Sequence, residues 1–348
     1  MPKIIQNLSL LVISTILSLF ITEIVSRFFL PLSAPNRLPF IVNEGDSYCG
    51  YHPRPNQRGF EHTGSIKINQ WGFRGNDWKV SKPPDAKRII ILGDSYAFGQ
   101  GVADDETFAA QLEIVLNMLP VSPKKSYQVL NFAVSGYDTG HEIKVLKHHA
   151  LQFQPDVVLL QFFLNDLSYV DDYSFYPVMF AKMRAEFSTW KWQMRECLRR
   201  SSLLMALWDI SRAQFQDPIT RDYINSNIVP PAGSGEKGWK FVIDQLRAFR
   251  EIAKQHHFKP VLLIMPTPQE IIKKRTAPYV RYLQDQCTEI GLSSVNLQIA
   301  FESSRLKPKS FLIPYDYHLT AEGHRLVAKF LLKTLLNFLD NSYDKMLK

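Results

Sequence analysis

Cysteine is scarce in this chain of 348 residues. Cys49, Cys197 and Cys287 are widely spaced and form no CxxC pair, so at most one disulfide can form and no metal framework is implied. Around the glycines at Gly93, Gly99 and Gly101 there is no Gly-Lys-Ser/Thr triplet and no GxGxxG, which removes the common phosphate-cradling loops there and with them nucleotide binding as a first reading. Lys and Arg exceed Asp and Glu by 41 to 33, a formal charge of +8, but the excess is scattered over Lys124-Lys125, Arg199-Arg200, Lys273-Lys274-Arg275 and Lys307 with Lys309. Such a surface attracts anionic glycans or phospholipid. Without a basic helix interleaved with aromatics, a zinc finger or a recognition-helix signature, it does not argue for nucleic acid. Internal repeats and extended low-complexity tracts are also missing. What is present, 45% hydrophobic residues, is enough for a substantial core in one large domain or two small ones.

Residues 1–30 read unlike the start of a soluble domain. Lys3 precedes an almost uninterrupted apolar run from Leu8 to Ile21, and a weaker run continues past Glu23 to Leu30. A spanning helix needs about 20 mostly apolar residues, which this stretch reaches if Gln6, Asn7 or Glu23 sits near a headgroup layer. A cleaved signal peptide is the rival reading. Its small-residue exit, Leu32-Ser33-Ala34, is imperfect and is followed by Pro35. An amphipathic or buried helix is the third. The expectation is an uncleaved, single-pass anchor in the cell membrane. Lys3 and the amino terminus make the leading segment positive while Glu23 offsets Arg27, which sends the rest of the chain to the extracytoplasmic side.

Residues 31–86 carry Pro, Gly, Asn and charge at high density, with HPRPN from His52 and WGFRGND from Trp71. They read as an irregular leader with a short strand at Ser65 to Asn69, packed on the main domain, Trp71, Phe73 and Arg74 forming a structural clamp. From Lys87 apolar runs alternate with helix-period segments. Strands are expected at Arg88 to Leu92, Gln128 to Phe132, Asp156 to Phe162 and Lys259 to Met265, with a fifth short one at Phe311 to Pro314. Helices are expected at Thr107 to Leu119, about His141 to Phe153, and Ala321 to Phe338. Continuous apolar strands separated by helices make an α/β chain with a central parallel sheet covered on both faces, and such sheets bind ligands beyond the carboxyl ends of their strands. The stretch 167–238 breaks the rhythm. It reads as a mostly helical insertion forming a cap beside the site, or one whose Trp190 and Trp192 fill its own core. The main domain then spans 87–340, with a tail at 341–348.

The residues with chemistry fall at the ends of these strands. RIIIL runs into Gly93-Asp94-Ser95-Tyr96, which would present the Ser95 hydroxyl to the crevice beside free N–H groups. After the second strand comes Asn131 to Tyr137, where Gly136 lets backbone approach a ligand. After the third comes Leu164-Asn165-Asp166, where the Asn165 amide can donate to an oxygen that becomes negative. Asp316-Tyr317-His318 precedes the terminal helix. Each fragment alone has a bland explanation, an Asp capping a helix or an Asn closing a turn; all four at strand ends are harder to dismiss. Asp94 is read as holding backbone around its turn, Asp166 as capping a helix or touching substrate, and His324 as packing the terminal helix. The pairs His148-His149 and His256-His257 place neighbours on different faces and are rejected as metal sites.

Taken together, GDSYAFGQGV from Gly93, NFAVSGYDTG from Asn131, FFLND from Phe162 and DYHLTAEGH from Asp316 resemble the SGNH, or GDSL-like, hydrolase superfamily, and more narrowly its membrane-anchored bacterial members of unassigned substrate. The similarity covers roughly 87–340. It implies a flavodoxin-like three-layer fold with no metal or organic cofactor, Ser95 as nucleophile, Gly136 and Asn165 in the oxyanion hole, and Asp316 and His318 as the acid–base pair. Two departures stand out: Phe163-Leu164 where many relatives have a glycine before the Asn, and Leu319 where many have Pro or Trp after the His. The expected function is a serine esterase working through an acyl-enzyme on acyl esters, O-acetyl above all, of an envelope or extracellular carbohydrate. The alternatives are an O-acyltransferase, lipase or thioesterase of the same fold, or a non-catalytic carbohydrate-binding or assembly protein. The expected partners are an acylated carbohydrate or lipid and the membrane, not nucleic acid.

Overall fold

The computed structural model describes residues 3–29, 41–61, 64–119, 126–168, 236–313 and 318–339, with scattered positions between 179 and 207. Of the expected site residues, Asp316 lies outside the described residues, as does most of the expected insertion.

The first helix, Lys3–Phe29, has 27 residues, roughly 40 Å at ~1.5 Å per residue, long enough to cross a hydrocarbon core of about 30 Å. Its most apolar window has mean hydropathy 2.3 and none of it is buried against the rest of the chain, so this helix is a candidate membrane span. The hydroxyls of Ser9, Ser14, Thr15, Thr22 and Ser26 donate to carbonyls three or four residues back, which satisfies them without water. Glu23, the one acidic residue of the helix, accepts from Ser201 Oγ (2.8 Å) and from the N–H groups of Ser202 (2.8 Å) and Leu203 (3.0 Å), where another helical turn begins. Trp190 is 65% exposed, so it fills no interior of its own segment among the described residues; Trp192 lies outside them.

Two antiparallel hairpins follow, β1 (Asn43–Asp46) with β2 (Gly50–Pro53) and β3 (Arg58–Glu61) with β4 (Gly64–Lys67). The strand expected at Ser65 to Asn69 is thus β4, extended by an isolated Ile68–Arg74 bridge. Five parallel strands form the central sheet: β5 (Ala86–Leu92), β6 (Ser126–Asn131), β7 (Val157–Phe162), β8 (Lys259–Ile264) and β9 (Ser293–Asn296), in the order β6-β5-β7-β8-β9. Strand alternation splits the core in two. Ile90, Leu92, Val158, Leu160, Leu262 and Ile264 pack on Phe153, Trp239, Leu246 and Phe249. Ile89, Ile91, Val157, Leu159, Val261 and Leu263 pack on Phe108, Leu112, Val327 and Leu331. Helices therefore cover both faces, which makes the three-layer α/β/α sandwich. The strand order reverses between β5 and β7, and the crevice beyond their carboxyl ends is where such a sheet takes its ligand.

Two of the expected elements come out differently. The fifth strand is β9, not Phe311 to Pro314. Its sequence Ser-Ser-Val-Asn buries only Val295 and Asn296, so an edge strand this short and polar leaves no apolar run to read. Pro308–Phe311 is instead a 3₁₀ turn, and Leu312 forms a single bridge to Leu319. The helix expected from about His141 starts at Thr139 behind an Asp138 cap and runs as α-helix only to Val145. It then widens into a π turn at Leu146–Ala150 and ends as 3₁₀ at Leu151–Phe153.

Candidate active site

Ser95 is the first residue of a single helical turn, Ser95–Phe98, placed directly beyond β5. The Asp94 side chain caps that turn, Oδ1 accepting from the Tyr96 N–H at 2.9 Å, while Oδ2 accepts from the Asn165 amide at 3.3 Å. Asp94 is fully buried, and that burial pushes its pKa up against the lowering effect of these hydrogen bonds and of nearby His318. A Gln in the middle of the otherwise apolar β7 completes the turn: Gln161 Oε1 accepts from the Asp94 N–H at 3.2 Å. Gly93 permits this approach, since a Cβ there would lie 2.5 Å from Gln161 Oε1.

His318 Nε2 stands 2.8 Å from Ser95 Oγ. Both side chains are half-buried, as groups lining a crevice must be. His318 is held at its backbone, where its carbonyl accepts from the Ile313 N–H at 2.8 Å. Its ring packs on Tyr96 (centroids 5.0 Å), and Tyr96 packs in turn on Phe163 (4.5 Å). Phe163, the first departure from the family pattern, is therefore part of an aromatic wall beside the Ser95–His318 pair. Leu319, the second, is buried in the core.

Gly136 follows β6 in an exposed turn at φ +87°, a conformation that penalises a side chain. A Cβ there would also lie 2.8 Å from the Tyr51 hydroxyl, which donates to the Ser135 carbonyl at 2.9 Å. The leader hairpin thus fixes the turn. Neither the Ser95 nor the Gly136 N–H has an acceptor among the described residues, and the Asn165 side chain is exposed at the end of β7. Both backbone donors, and the second N–H of the Asn165 amide, whose first is directed at Asp94, are thus without an acceptor among the described residues.

Arg74 does what a clamp should. Nη1 donates to the carbonyls of Phe98 (3.0 Å) and Gly99 (2.6 Å), Nη2 to that of Val102 (2.6 Å), and Nε to Asp104 Oδ1 (2.8 Å), so one buried guanidinium holds the segment leaving Ser95. Asp166 is fully buried and accepts from Thr139 Oγ1 at 2.9 Å, turned away from solvent. Beside it lies Glu142, buried, with neither carboxylate oxygen hydrogen-bonded among the described residues. Burial first, then the charges of Asp166, Asp94 and Asp138, raises the Glu142 pKa well above the ordinary carboxylate range, and burial with Asp94 does the same for Asp166. Sequence reading missed Gln161, Tyr96 and Glu142; a lone Gln inside an apolar parallel strand was the available signal for the first. His324 accepts from the Phe108 N–H at Nδ1 (3.1 Å), and burial, with Arg74 and His318 nearby, lowers its pKa to about 3, so it is a neutral packing residue.

A serine hydroxyl on an imidazole, at the reversal point of a parallel sheet with unclaimed N–H donors beside it, has the geometry of an α/β serine hydrolase. The family model of the GDSL-like lipase/acylhydrolases matches residues 91–326, and the chain belongs to that family of ester hydrolases. No curated relative matches the chain. Among solved structures it is similar to a lipase/acylhydrolase from Enterococcus faecalis (13% identity, TM-score 0.42, covering 73% of this chain and 97% of that one). It is also similar to an acetylxylan esterase from Geobacillus stearothermophilus (15%, 0.43, 71% and 93%) and to a psychrotrophic esterase from Pseudoalteromonas sp. (14%, 0.42, 73% and 100%). Identity and TM-score are low in each, so membership rests on the matched residues.

Proposed function

We propose that the chain is a serine esterase that removes short acyl groups, acetyl above all, from a carbohydrate of the cell envelope. The observation that carries the reading is the 2.8 Å approach of His318 Nε2 to Ser95 Oγ. As the Ser95 oxygen attacks the ester carbonyl, His318 takes its proton. Asp316 is the residue proposed to orient the imidazole and stabilise its charged form. The oxyanion is met by the N–H groups of Ser95 and Gly136 and by the Asn165 amide, each worth roughly 3 kcal/mol in the transition state. Asn165 is already braced against Asp94, so little ordering remains when the oxyanion forms. The alcohol leaves with the proton from His318, and water, activated by the same imidazole, releases the acid from the acyl-enzyme.

The preference for a short acyl group is supported by the Phe163–Tyr96–His318 wall, which puts aromatic rings where a glycine would leave room. The carbohydrate and its location follow from the apolar Lys3–Phe29 helix read as an anchor, with residues 87–340 as the catalytic domain on the extracytoplasmic side and 31–86 as its bracing leader. Ser95→Ala should abolish both covalent labelling by a fluorophosphonate and turnover of p-nitrophenyl acetate. Rates should fall as the acyl chain lengthens; a rise of the kind expected from about 0.8 kcal/mol per buried methylene would make the protein a lipase or thioesterase. A wild-type chain that neither labels nor turns over any acyl ester would sink the proposal.

A further inference from the structure

A second cluster of reactive side chains lies on the leader, outside the hydrolase chemistry. Asp46 ends β1, Cys49 closes the turn to β2, and His52 lies in β2. They face His149, which sits in the π turn Leu146–Ala150. Asp46 Oδ2 is 3.3 Å from His149 Nε2 and 3.6 Å from His52 Nε2, and Cys49 Sγ is 3.9 Å from the same His149 nitrogen. The ligand atoms of Asp46, Cys49 and His149 all lie within 4.8 Å of one another. We propose that this cluster is a zinc site, in which Asp46, Cys49 and His149, joined by His52, bind one zinc ion that staples the leader hairpin to the helix behind the Gly136 turn.

Four features support a metal over a plain hydrogen-bonded group. The three separations His149–Asp46, His52–Asp46 and His149–Cys49 are longer than the ~2.9–3.0 Å of an N–H···O bond, yet close to edges of a tetrahedral site. Bond lengths of about 2.0–2.1 Å to N or O and 2.3 Å to S put those edges at roughly 3.3 Å and 3.6 Å. The donor set of thiolate, imidazole and carboxylate is the one zinc takes. The ligands are aimed in advance: Asp46 Oδ1 accepts from the N–H groups of Tyr48 and Cys49, both at 2.7 Å, leaving Oδ2 toward the cluster. His52 Nδ1 faces the Pro53 carbonyl at 2.8 Å, an arrangement that puts the proton on Nδ1 and leaves Nε2 a lone pair. Finally, the helix departs from α geometry at the turn that carries His149, and such π bulges concentrate at functional sites.

The neighbouring His148 stacks on Tyr48 of the β1–β2 turn. The sequence expectation sets the pair aside as a metal site; the proposal departs from it because His149 finds its partners about a hundred residues upstream. The ion would bear on the active site through Tyr51, whose hydroxyl holds the Ser135 carbonyl, and through Tyr137, whose single hydroxyl proton lies within reach of both the Tyr51 carbonyl and Cys49 Sγ. An ordinary thiol, with a pKa of about 8.5, is protonated at neutral pH. Zinc binding must break that S–H bond, form Zn–S and pass one proton to the buffer.

The test is zinc titration of the full chain in detergent after chelator stripping, run calorimetrically in two buffers of different ionisation enthalpy. One zinc per chain with about one proton released per zinc, a raised melting temperature, and a thiolate-to-metal charge-transfer band when cobalt(II) replaces zinc are expected. Cys49→Ser and His149→Ala should each weaken zinc binding by more than the roughly 10–100-fold that loss of a supporting partner costs, while His148→Ala leaves it unchanged. If a ligand variant does not fold, the cobalt spectrum of the wild-type chain decides. A wild-type chain that binds no zinc, a cobalt form without the thiolate band, or ligand variants that bind zinc like the wild type would overturn the proposal.

Discussion

Replacing Gly136 with Ala separates two consequences of one residue. At φ +87° a side chain costs about 1–2 kcal/mol of left-handed strain, and the new methyl would meet the Tyr51 hydroxyl at 2.8 Å. The turn must shift to relieve that contact, and the Gly136 N–H moves with it. If that N–H meets the oxyanion, its displacement costs about 100- to 1,000-fold in kcat, with KM little changed because the ground-state carbonyl leans on it less. Tyr51→Phe discriminates between the two terms. Alone it loses the hydroxyl's bond to the Ser135 carbonyl, about 1 kcal/mol. Combined with Gly136→Ala it also removes the steric contact, so the double variant should be more stable than the sum of the single losses, a coupling readable in urea denaturation. The strain at φ +87° would persist in both. Steady-state kinetics on p-nitrophenyl acetate with parallel denaturation curves give both quantities. A Gly136→Ala chain that is destabilised yet keeps its kcat would refute the oxyanion role, and one that loses neither would refute the geometry of the turn.

Two further outcomes follow from buried charge. Arg74→Lys should lower stability by about 3 kcal/mol in urea denaturation, because a compact ammonium cannot span three carbonyls and Asp104 as the guanidinium fork does; an unchanged midpoint would show that the clamp is dispensable. Glu142 has its pKa raised by burial, so above the unfolded value of about 4.3 the native state holds a proton that the unfolded chain gives up. Stability must then fall as pH rises from there toward the folded value, by about 1.4 kcal/mol per unit. Glu142→Gln removes that contribution and should gain on the wild type as pH rises above the unfolded value; parallel curves for the two proteins would contradict it.

What the sequence disclosed depended on whether a function sits in one contiguous stretch. Ser95, Gly136 and Asn165 each end an apolar run, because a parallel sheet delivers the carboxyl ends of its strands to one edge, so run and motif could be read together. β9 escaped because an edge strand needs little hydrophobicity, and the π turn because apolar periodicity does not distinguish it from α-helix over five residues. Gln161 is the instructive miss. In an all-buried strand an amide must find a partner, and its position one residue past the Leu92–Leu160 pairing brings it to the Asp94 N–H just beyond β5. That reach requires Gly93 to lack a side chain. The glycine and the aspartate of the Ser95 turn are therefore only two parts of a device whose third part lies on the neighbouring strand. Its register, rather than any local pattern, brings the three together, so a change at Gln161 should disturb Ser95 as surely as a change at Gly93.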